Sequence, residues 1–309
     1  MKRNLKKLDE LIALLGSIEY KRDVPAKNYT SFRIGGCVSL LAEPKNENEL
    51  NILIEAAKAM DYPYFVFGNG SNLLVQDEPI DAIFIRLGEN YSEYSLNGKA
   101  LYADAGALLC TVARASVNAG FKGLEWAAGI PGSIGGGIAM NAGAYGGELK
   151  DVLKTVRLFK SGEIFEHELD PDEMGYRYSA FSFPNAVILG GSFELLPDDG
   201  SASILMEEYS RRRRSKQPID LPSAGSTFKR PEGHFAAKLI EDAGLKGFRI
   251  GNAMISEKHA GFVVNMGGAS FADVAMLMDE VQERVFAVFG VQLEPEVKLV
   301  TEQSLKSLR

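Results

Sequence analysis

Cysteine and histidine, which supply most transition-metal ligands and all disulfides, are scarce in this 309-residue sequence. Cys37 and Cys110 lie far apart, in no spacing typical of a metal site. The three histidines are scattered, at His167, His234 and His259. A disulfide scaffold and a cysteine-rich zinc site are therefore excluded, and we predict no bound metal. Two isolated cysteines fit a reducing compartment, so we expect a cytoplasmic protein.

Long hydrophobic runs are also missing. No stretch approaches the roughly 20 apolar residues that cross a bilayer. The N-terminus, MKRNLKKLDELIALLGS, is basic and then apolar, as in a signal peptide. However, Asp9 and Glu10 precede its short apolar run at 11–15, and no small-residue cleavage site follows. We predict an amphipathic helix here and no membrane association.

Positive charge is in deficit, because 34 Lys and Arg face 41 Asp and Glu, for a net charge of −7. An acidic total argues against a general nucleic-acid binder. The 46% apolar and 24% charged content excludes a wholly disordered chain. At roughly 100–200 residues per domain, the length predicts two or three packed units. A monomer is the default prediction.

Glycine is plentiful and unevenly placed. The segment GNGSNLLV (68–75) directly follows a predicted buried strand at Tyr64–Phe67, and eight of the 32 glycines lie between Gly129 and Gly147. The segment 68–75 has neither the spacing of the usual dinucleotide fingerprint nor that of a Walker loop. Backbone N–H groups in such loops can hold a diphosphate. An ordinary turn at the first loop and tight packing of crossing backbones at the second remain alternatives.

Polar residues elsewhere also allow two interpretations. Arg177, between two tyrosines, can pair with a carboxylate or pack on the rings at the surface. Ser226, in SAGSTFKRP, can exchange a proton or simply cap a turn. Glu296 can supply a carboxylate to a functional site or be an ordinary acidic residue at the surface. The run 211–214, all arginine, is typical of a solvated helix face but can also meet phosphates.

Periodicity and capping signals predict the main elements. A change of composition near 197–201 indicates a boundary between units. The predicted helices cover 46–60, 108–118, 201–216, 234–243 and 271–289. The predicted strands cover 64–67, 82–87, 100–105, 152–159, 163–169, 186–195, 261–265 and 296–300.

Taken together, these motifs resemble the UDP-N-acetylenolpyruvoylglucosamine reductase family, flavoenzymes of bacterial cell-wall precursor synthesis. Any single block is weak evidence, but the ordered set covers almost the whole chain. The resembling blocks are NYTSFRIGG (28–36), GNGSNLLV (68–75), 123–148, YRYSAF (176–181), PSAGSTFKRP (222–231), 236–265 and LEPEVKLV (293–300).

The resemblance implies an α+β fold. It comprises a two-subdomain FAD-binding module of the vanillyl-alcohol-oxidase/PCMH type and a third α+β subdomain that binds substrate. The FAD module would span 1–197, with subdomains at about 20–80 and 81–197. The substrate domain would span 201–290, and 291–309 would return to the FAD module. Some members carry an extra loop whose tyrosine closes over the substrate. The stretch 181–226 is too compact for it, so the chain resembles the subclass without that loop.

The resemblance further implies an enzyme in which NADPH reduces FAD and leaves. The enolpyruvyl ether of UDP-N-acetylglucosamine then takes its place and is reduced to UDP-N-acetylmuramate. Arg177 and Glu296 would organise the substrate carboxylate, and Ser226 would donate a proton to the enolate-like state. A serine hydroxyl is a poor acid in water, yet it can protonate a strong base in a dry site.

Two further sets of residues follow from the resemblance. The FAD-binding candidates are Arg33, Gly68, Asn69, Gly70, Ser71, Asn72, Leu73, Gly129, Ile130, Pro131, Gly132, Ser133, Gly135, Gly136, Asn141, Gly143, Ala144 and Ile188. The candidates for binding substrate or NADPH are Tyr176, Arg214, Lys216, Lys229 and Arg230. Two alternative functions stay open: another FAD oxidoreductase of the same fold group, or a non-catalytic module that binds a nucleotide sugar.

Overall fold

The structure is a computed structural model that describes residues 5–184 and 186–307. A mixed sheet, an antiparallel sheet and a small meander organise the chain in sequence order. Short 3₁₀ turns connect several elements, at Ala26–Tyr29, Glu89–Tyr91, Glu125–Ala127, Leu149–Asp151 and Pro171–Glu173. None of the helices in the described ranges combines the length and the apolar character needed to cross a bilayer.

The first part of the chain forms a four-stranded mixed sheet in the order β1-β2-β5-β3. Its elements are α1 (Leu5–Leu15), β1 (Tyr20–Pro25), β2 (Cys37–Ala42), α2 (Glu47–Ala59), β3 (Tyr64–Phe67), β4 (Leu73–Val75) and β5 (Ile80–Arg86). Helices α1 and α2 pack on one face of this sheet through leucines such as Leu11 and Leu53. Strand β3 lies at the sheet edge, and the first glycine loop leaves from its end.

The second part forms a five-stranded antiparallel sheet in the order β12-β11-β15-β7-β6. Its elements are β6 (Tyr94–Asn97), β7 (Ala100–Asp104), α3 (Leu109–Asn118), β8 (Phe121–Lys122), α4 (Ile134–Ala139), β9 (Gly143–Ala144), β10 (Gly147–Glu148), β11 (Leu153–Lys160), β12 (Glu163–Glu168), β13 (Met174–Gly175), β14 (Tyr178–Ser179), β15 (Val187–Glu194), β16 (Leu196–Pro197) and α5 (Ala202–Lys216). Helix α4 packs against β15, where a Cβ on Gly191 would lie 3.0 Å from Ile138 Cδ1.

The third part forms a small antiparallel meander, β17-β18-β19, beside a long helix. Its elements are α6 (Ala236–Asp242), β17 (Arg249–Ile250), β18 (Ala253–Ile255), β19 (Val263–Asn265), α7 (Phe271–Phe289), β20 (Lys298–Val300) and α8 (Glu302–Lys306). Strand β20 runs parallel to β4, with Lys298 opposite Leu73. The end of the chain therefore lies beside the first glycine loop.

The hydrophobic clusters mostly follow these three parts. The cluster of the third part also takes in Phe32, Ile34 and Leu74, so this part packs directly on loops of the first. The domain bounds predicted from the sequence, 1–197, 201–290 and 291–309, stay predictions.

Elements with strong local signals agree with the sequence-based predictions. Strand 64–67 and helix 271–289 are confirmed to the residue, and α7 is bounded by a Ser270 capping box and by Gly290 at φ 69°. The predicted strand 296–300 begins later, at Lys298, because the Glu296 N–H donates to the carbonyl of Thr227 instead.

Candidate active site

A large cleft runs between the two glycine loops and the segment 217–226. Its volume is about 1300 Å³, above the roughly 300–1,000 Å³ typical of a site for one small molecule. All three parts of the chain contribute to its walls. The cleft therefore has room for an extended ligand together with a second one.

The first glycine loop is fixed at both ends by contacts with distant segments. Gly70 has φ 64°, and a Cβ there would lie 2.1 Å from the carbonyl oxygen of Tyr29, so only glycine fits. Asn69 Nδ2 donates to the carbonyl of Pro131 over 2.6 Å. Asn72 Nδ2 donates to the carbonyl of Glu296 over 3.1 Å. The loop thus links the second glycine loop to the segment that carries Glu296.

The second glycine loop, 129–133, leads into α4. Ser133 caps this helix, because its Oγ accepts a weak 3.5 Å hydrogen bond from the Gly136 N–H. A Cβ on Gly68 would lie 2.1 Å from Ser133 Oγ, so the two loops touch and a side chain at Gly68 would displace the Ser133 hydroxyl. Together the loops form one continuous backbone surface.

The glycines of these segments serve two different purposes. A Cβ on Gly132 or Gly136 would meet nothing closer than 3.4 Å, and both residues line the cleft. A Cβ on Gly135 would lie 2.8 Å from Ala105 Cβ, and one on Gly137 would lie 2.9 Å from Leu149 Cδ1. The first pair leaves peptide groups open to a ligand. A diphosphate-containing cofactor such as FAD fits such a bare surface.

Arg177 and Glu296 form an ion pair in the cleft. Arg177 Nε lies 2.7 Å from Glu296 Oε1, and the two side chains are only 18% and 14% exposed. Arg177 Nη2 also donates to the carbonyl of Gly143 over 3.2 Å, and Arg177 itself has φ 56°. Burial raises the pKa of Glu296, and the charge of Arg177 opposes that rise only in part. A residue in the left-handed region and a destabilised carboxylate are typical of a functional site.

Ser226 lies in the same cleft, on a segment joined to Glu296 by backbone pairing. The Glu296 N–H donates to the carbonyl of Thr227 over 2.8 Å, and the Lys229 N–H donates to the carbonyl of Glu294. Thr227 is anchored from the other side, because its N–H donates to Gly261 and its Oγ1 accepts from the Val263 N–H. The serine hydroxyl and the carboxyl are therefore carried by one rigid pair of segments.

Comparisons with known proteins agree with this geometry. Residues 217–300 match the family model for the C-terminal domain of UDP-N-acetylenolpyruvoylglucosamine reductase, and 38–166 match that for an FAD binding domain. The reductase of Clostridioides difficile (strain 630) is 44% identical over 94% of this chain and 97% of that protein. That of Alkaliphilus oremlandii is 45% identical over 91% of this chain and 93% of that protein. The crystal structure of the Thermus caldophilus enzyme, at 36% identity, covers 92% of this chain and 98% of that one with a TM-score of 0.78.

The chain belongs to the UDP-N-acetylenolpyruvoylglucosamine reductase family. The predicted family, its FAD-dependent reductase activity, its cofactors FAD and NADPH, and its fold class are thereby confirmed. In this member of the family, the described residues of 181–226 form β15, β16, α5 and short connections. They contain no additional element that could carry the extra tyrosine loop.

Most of the predicted FAD-binding residues of this reductase line the cleft, and three do not. Those that line it are Arg33, Gly68, Asn69, Gly70, Ser71, Asn72, Leu73, Gly129, Ile130, Pro131, Gly132, Ser133, Gly136, Gly143 and Ala144. Gly135 packs on Ala105, and Ile188 is buried in β15. Asn141 is fully buried, and its side chain donates to Glu148 Oε2 and to the carbonyl of Gly175.

Of the predicted substrate-binding residues, Arg214 lines the cleft. The Tyr176 hydroxyl accepts a 3.0 Å hydrogen bond from the Arg230 N–H, and its ring lies 5.0 Å from the Arg177 guanidinium. Lys229 pairs with Glu294 over 3.2 Å. Lys216 is exposed at the end of α5. Tyr176, Lys229 and Arg230 therefore border the segment of Ser226, outside the lining of the cleft.

The cleft also contains Lys298, which the sequence analysis did not name, and Arg213, one member of the predicted run 211–214. Arg213 lines it from α5, and Lys298 from β20. Lys298 follows Glu296 by two residues in an extended segment, a spacing that places side chains on one face. That spacing is the signal that could have found Lys298. Whether Arg213 reaches the cleft depends on how α5 is rotated about its axis, and only the folded structure shows this rotation.

Proposed function

We propose that this chain reduces UDP-N-acetylglucosamine enolpyruvate to UDP-N-acetylmuramate with NADPH and bound FAD, in peptidoglycan precursor synthesis, using Arg177, Ser226 and Glu296. The observation that carries this assignment is the buried Arg177–Glu296 pair, which shares a cleft with Ser226 and with two bare glycine loops. A cofactor surface and a group of reactive side chains therefore face one space.

The two glycine loops are the proposed site of FAD. Backbone N–H groups of 68–72 and 129–133 would hold its diphosphate, because Gly132 and Gly136 present no side chain there. When bound, FAD supplies the hydride relay between NADPH and the enolpyruvyl double bond. The remaining tasks, which are to bind, to orient and to protonate the substrate, fall to side chains of the chain itself.

Arg177 is the proposed anchor of the substrate carboxylate. Glu296 holds its Nε, and the Gly143 carbonyl holds its Nη2, which fixes the plane of the guanidinium. No acceptor for Nη1 lies within residues 5–184 and 186–307, so Nη1 is available to a ligand. A fixed cation beside a carboxylate on which negative charge develops stabilises the transition state without reorganisation.

Ser226 and Glu296 are the proposed proton-handling groups. The Ser226 hydroxyl donates the proton to the substrate carbon next to the carboxylate, which is strongly basic once the neighbouring carbon has been reduced. Burial raises the pKa of Glu296 while Arg177 favours its charged form, so this carboxyl is suited to gain or lose a proton in the cleft that it shares with Ser226.

The activity is tested by flavin absorbance under anaerobic conditions. We expect yellow protein that NADPH bleaches and that enolpyruvyl UDP-N-acetylglucosamine then restores. UDP-N-acetylglucosamine, which lacks the double bond, is the control and should leave the flavin reduced. Colourless protein would support the nucleotide-sugar-binding module. Flavin that NADPH cannot bleach would support a different oxidoreductase.

Two further predictions belong to this proposal. We propose that the chain acts as a monomer in the cytoplasm, without nucleic-acid or membrane partners. Light scattering of the purified protein should give the mass of one chain, and a mass of two chains would contradict the monomer.

A further inference from the structure

One face of α5 presents polar side chains to the cleft. Ser210, Arg213 and Arg214 line it from α5, where Arg213 and Arg214 lie three and four residues after Ser210 and so on its side of the helix, and Gln217 lines it directly after the helix ends. Arg213 lies against the second glycine loop, since a Cβ on Gly129 would be 2.9 Å from its Cδ. The guanidinium stem of Arg213 therefore packs on the backbone proposed to hold the FAD diphosphate.

The charge of Arg213 has no partner in the described part of the chain, residues 5–184 and 186–307. The neighbouring Arg212 pairs with Glu208, and Arg177 pairs with Glu296. Arg213 is nevertheless partly buried, whereas Arg211, Arg212 and Arg214 are exposed. Loss of hydration lowers the pKa of Arg213, and no carboxylate contributes to its electrostatic surroundings. A buried charge without a counter-ion is costly, so this position is suited to an anion from outside the chain.

A second side chain of the same face is also incomplete. Gln217 lies one turn after Arg213, and its Oε1 is buried without a hydrogen-bond partner among the described residues. Buried amide oxygens normally accept a hydrogen bond, so a donor from a ligand can complete this site. Hydroxyl groups of a nucleotide are such donors, and they accompany its phosphates.

An aromatic stack holds this face of α5 in position. The rings of Tyr145 and Tyr209 are parallel within 4°, with centroids 4.3 Å apart, and the Tyr145 hydroxyl donates to the carbonyl of Tyr209. Tyr209 lies one turn before Arg213, and Tyr145 lies within the glycine-rich stretch 129–147. The stack therefore fixes the register between α5 and the glycine loops.

We propose that Arg213 is the resident counter-ion of the FAD diphosphate. This inference rests on the proposed site of FAD between the glycine loops. A passing ligand such as NADPH would leave the buried charge unpaired between turnovers, whereas a resident cofactor compensates it continuously. The exposed cations of the cleft, Arg214 and Lys298, are better suited to ligands that come and go.

The test measures FAD affinity in the absence of NADPH and substrate, so it does not depend on turnover. Holoenzymes of Arg213→Gln, Arg213→Lys and the exposed control Arg211→Gln are diluted, and released flavin is followed by fluorescence. Loss of a charge-assisted contact should raise the Kd of FAD about 10- to 100-fold in Arg213→Gln. Arg213→Lys should lose less, and Arg211→Gln should stay within about twofold of the parent.

Melting temperatures separate this role from a structural one. Without FAD, Arg213→Gln should melt at or above the parent temperature, because a buried unpaired charge is removed. Added FAD should raise its melting temperature less than that of the parent. Equal destabilisation with and without FAD would overturn the proposal. A parent-like Kd of FAD with a raised KM for NADPH or substrate would also overturn it, because Arg213 would then serve the passing ligands.

Discussion

Two of the partly buried guanidinium groups that line the cleft, those of Arg177 and Arg213, are compensated in opposite ways. Arg177 is held by Glu296 and by the carbonyl of Gly143, whereas Arg213 has no such acceptor in the described ranges. In the proposed function, the first belongs to the reaction side of the cleft, with Ser226 and Glu296. The second belongs to the proposed cofactor side, with the loops 68–72 and 129–133. We infer from the difference that the paired cation orients a reacting group, while the unpaired one binds an anion from outside the chain.

Of changes to these two guanidinium groups, the largest effect is expected on the reaction side, from Arg177→Met. Loss of the carboxylate anchor should slow flavin reoxidation by the enolpyruvyl substrate about 10²–10³-fold. Flavin reduction by NADPH should change little, because Arg177 is assigned no part in holding FAD. Rapid-mixing absorbance measures both steps. Arg177→Lys keeps the charge but loses the planar set of N–H donors of the guanidinium. Its reoxidation rate should therefore lie between those of the parent and of Arg177→Met. An equal loss in both steps would remove the distinction between the two sides.

On the cofactor side, Gly132→Val should lower flavin affinity about tenfold or more, because its side chain would enter the open cleft. Gly135→Ala is the control, since Gly135 lies outside the lining of the cleft and its Cβ would press on Ala105 rather than on a ligand. It should lower the melting temperature and leave flavin affinity intact. The flavin-to-protein ratio after gel filtration measures the loss of affinity. Normal flavin content in Gly132→Val would contradict the proposal that the glycine loops hold FAD.

These two loops also show how far sequence reasoning reaches. The first follows strand 64–67, whose apolar run and glycine boundary are local signals, and the bounds of this strand are confirmed. Helix α4 was not predicted, because Gly135, Gly136 and Gly137 are poor helix formers. It forms because glycine permits close packing on Ala105 and Leu149. Tertiary contact overrides propensity there, and no short-range pattern reports it.

The residues of the candidate site also divide into those that sequence motifs predict and those whose position only the folded chain sets. Arg177, Ser226 and Glu296 were proposed from the resemblance of their motifs, and the structure brings all three to one cleft. The choice among the arginines of 211–214 depends on how α5 is rotated against the glycine loop. Pairing of β20 with β4, more than 200 residues apart, sets the place of Glu296 beside Asn72. Such long-range register is outside the reach of local patterns.

A smaller effect is expected from the pH dependence of Glu296. Its pKa is raised from 4.5 by burial, so between 4.5 and the raised value the folded protein keeps a proton that the unfolded chain releases. Its contribution to stability is therefore full below 4.5 and is lost as the pH rises through the folded pKa. Glu296→Gln does not titrate. Its melting temperature should gain on the parent by a few degrees at most as the pH rises, and the opposite trend would contradict the raised pKa.

The smallest effect is expected from Tyr176→Phe. This change removes the hydroxyl that accepts from the Arg230 N–H, one contact between the Arg177 turn and the segment of Ser226. Loss of a single neutral hydrogen bond at an exposed position should raise the KM for the enolpyruvyl substrate about two- to fivefold. Steady-state kinetics measure it. A change of a hundredfold would mean that Tyr176 contacts the substrate directly.

The most direct test of the central claim is Ser226→Ala, followed through both half-reactions under anaerobic conditions. Removing one hydroxyl from an exposed loop position leaves the cofactor loops untouched. We predict that NADPH bleaches the flavin of this variant at the parent rate, and that reoxidation by enolpyruvyl UDP-N-acetylglucosamine slows by about 10²–10⁴-fold. Reoxidation at the parent rate, or an equal loss in both half-reactions, would contradict the assignment of Ser226 as the proton donor.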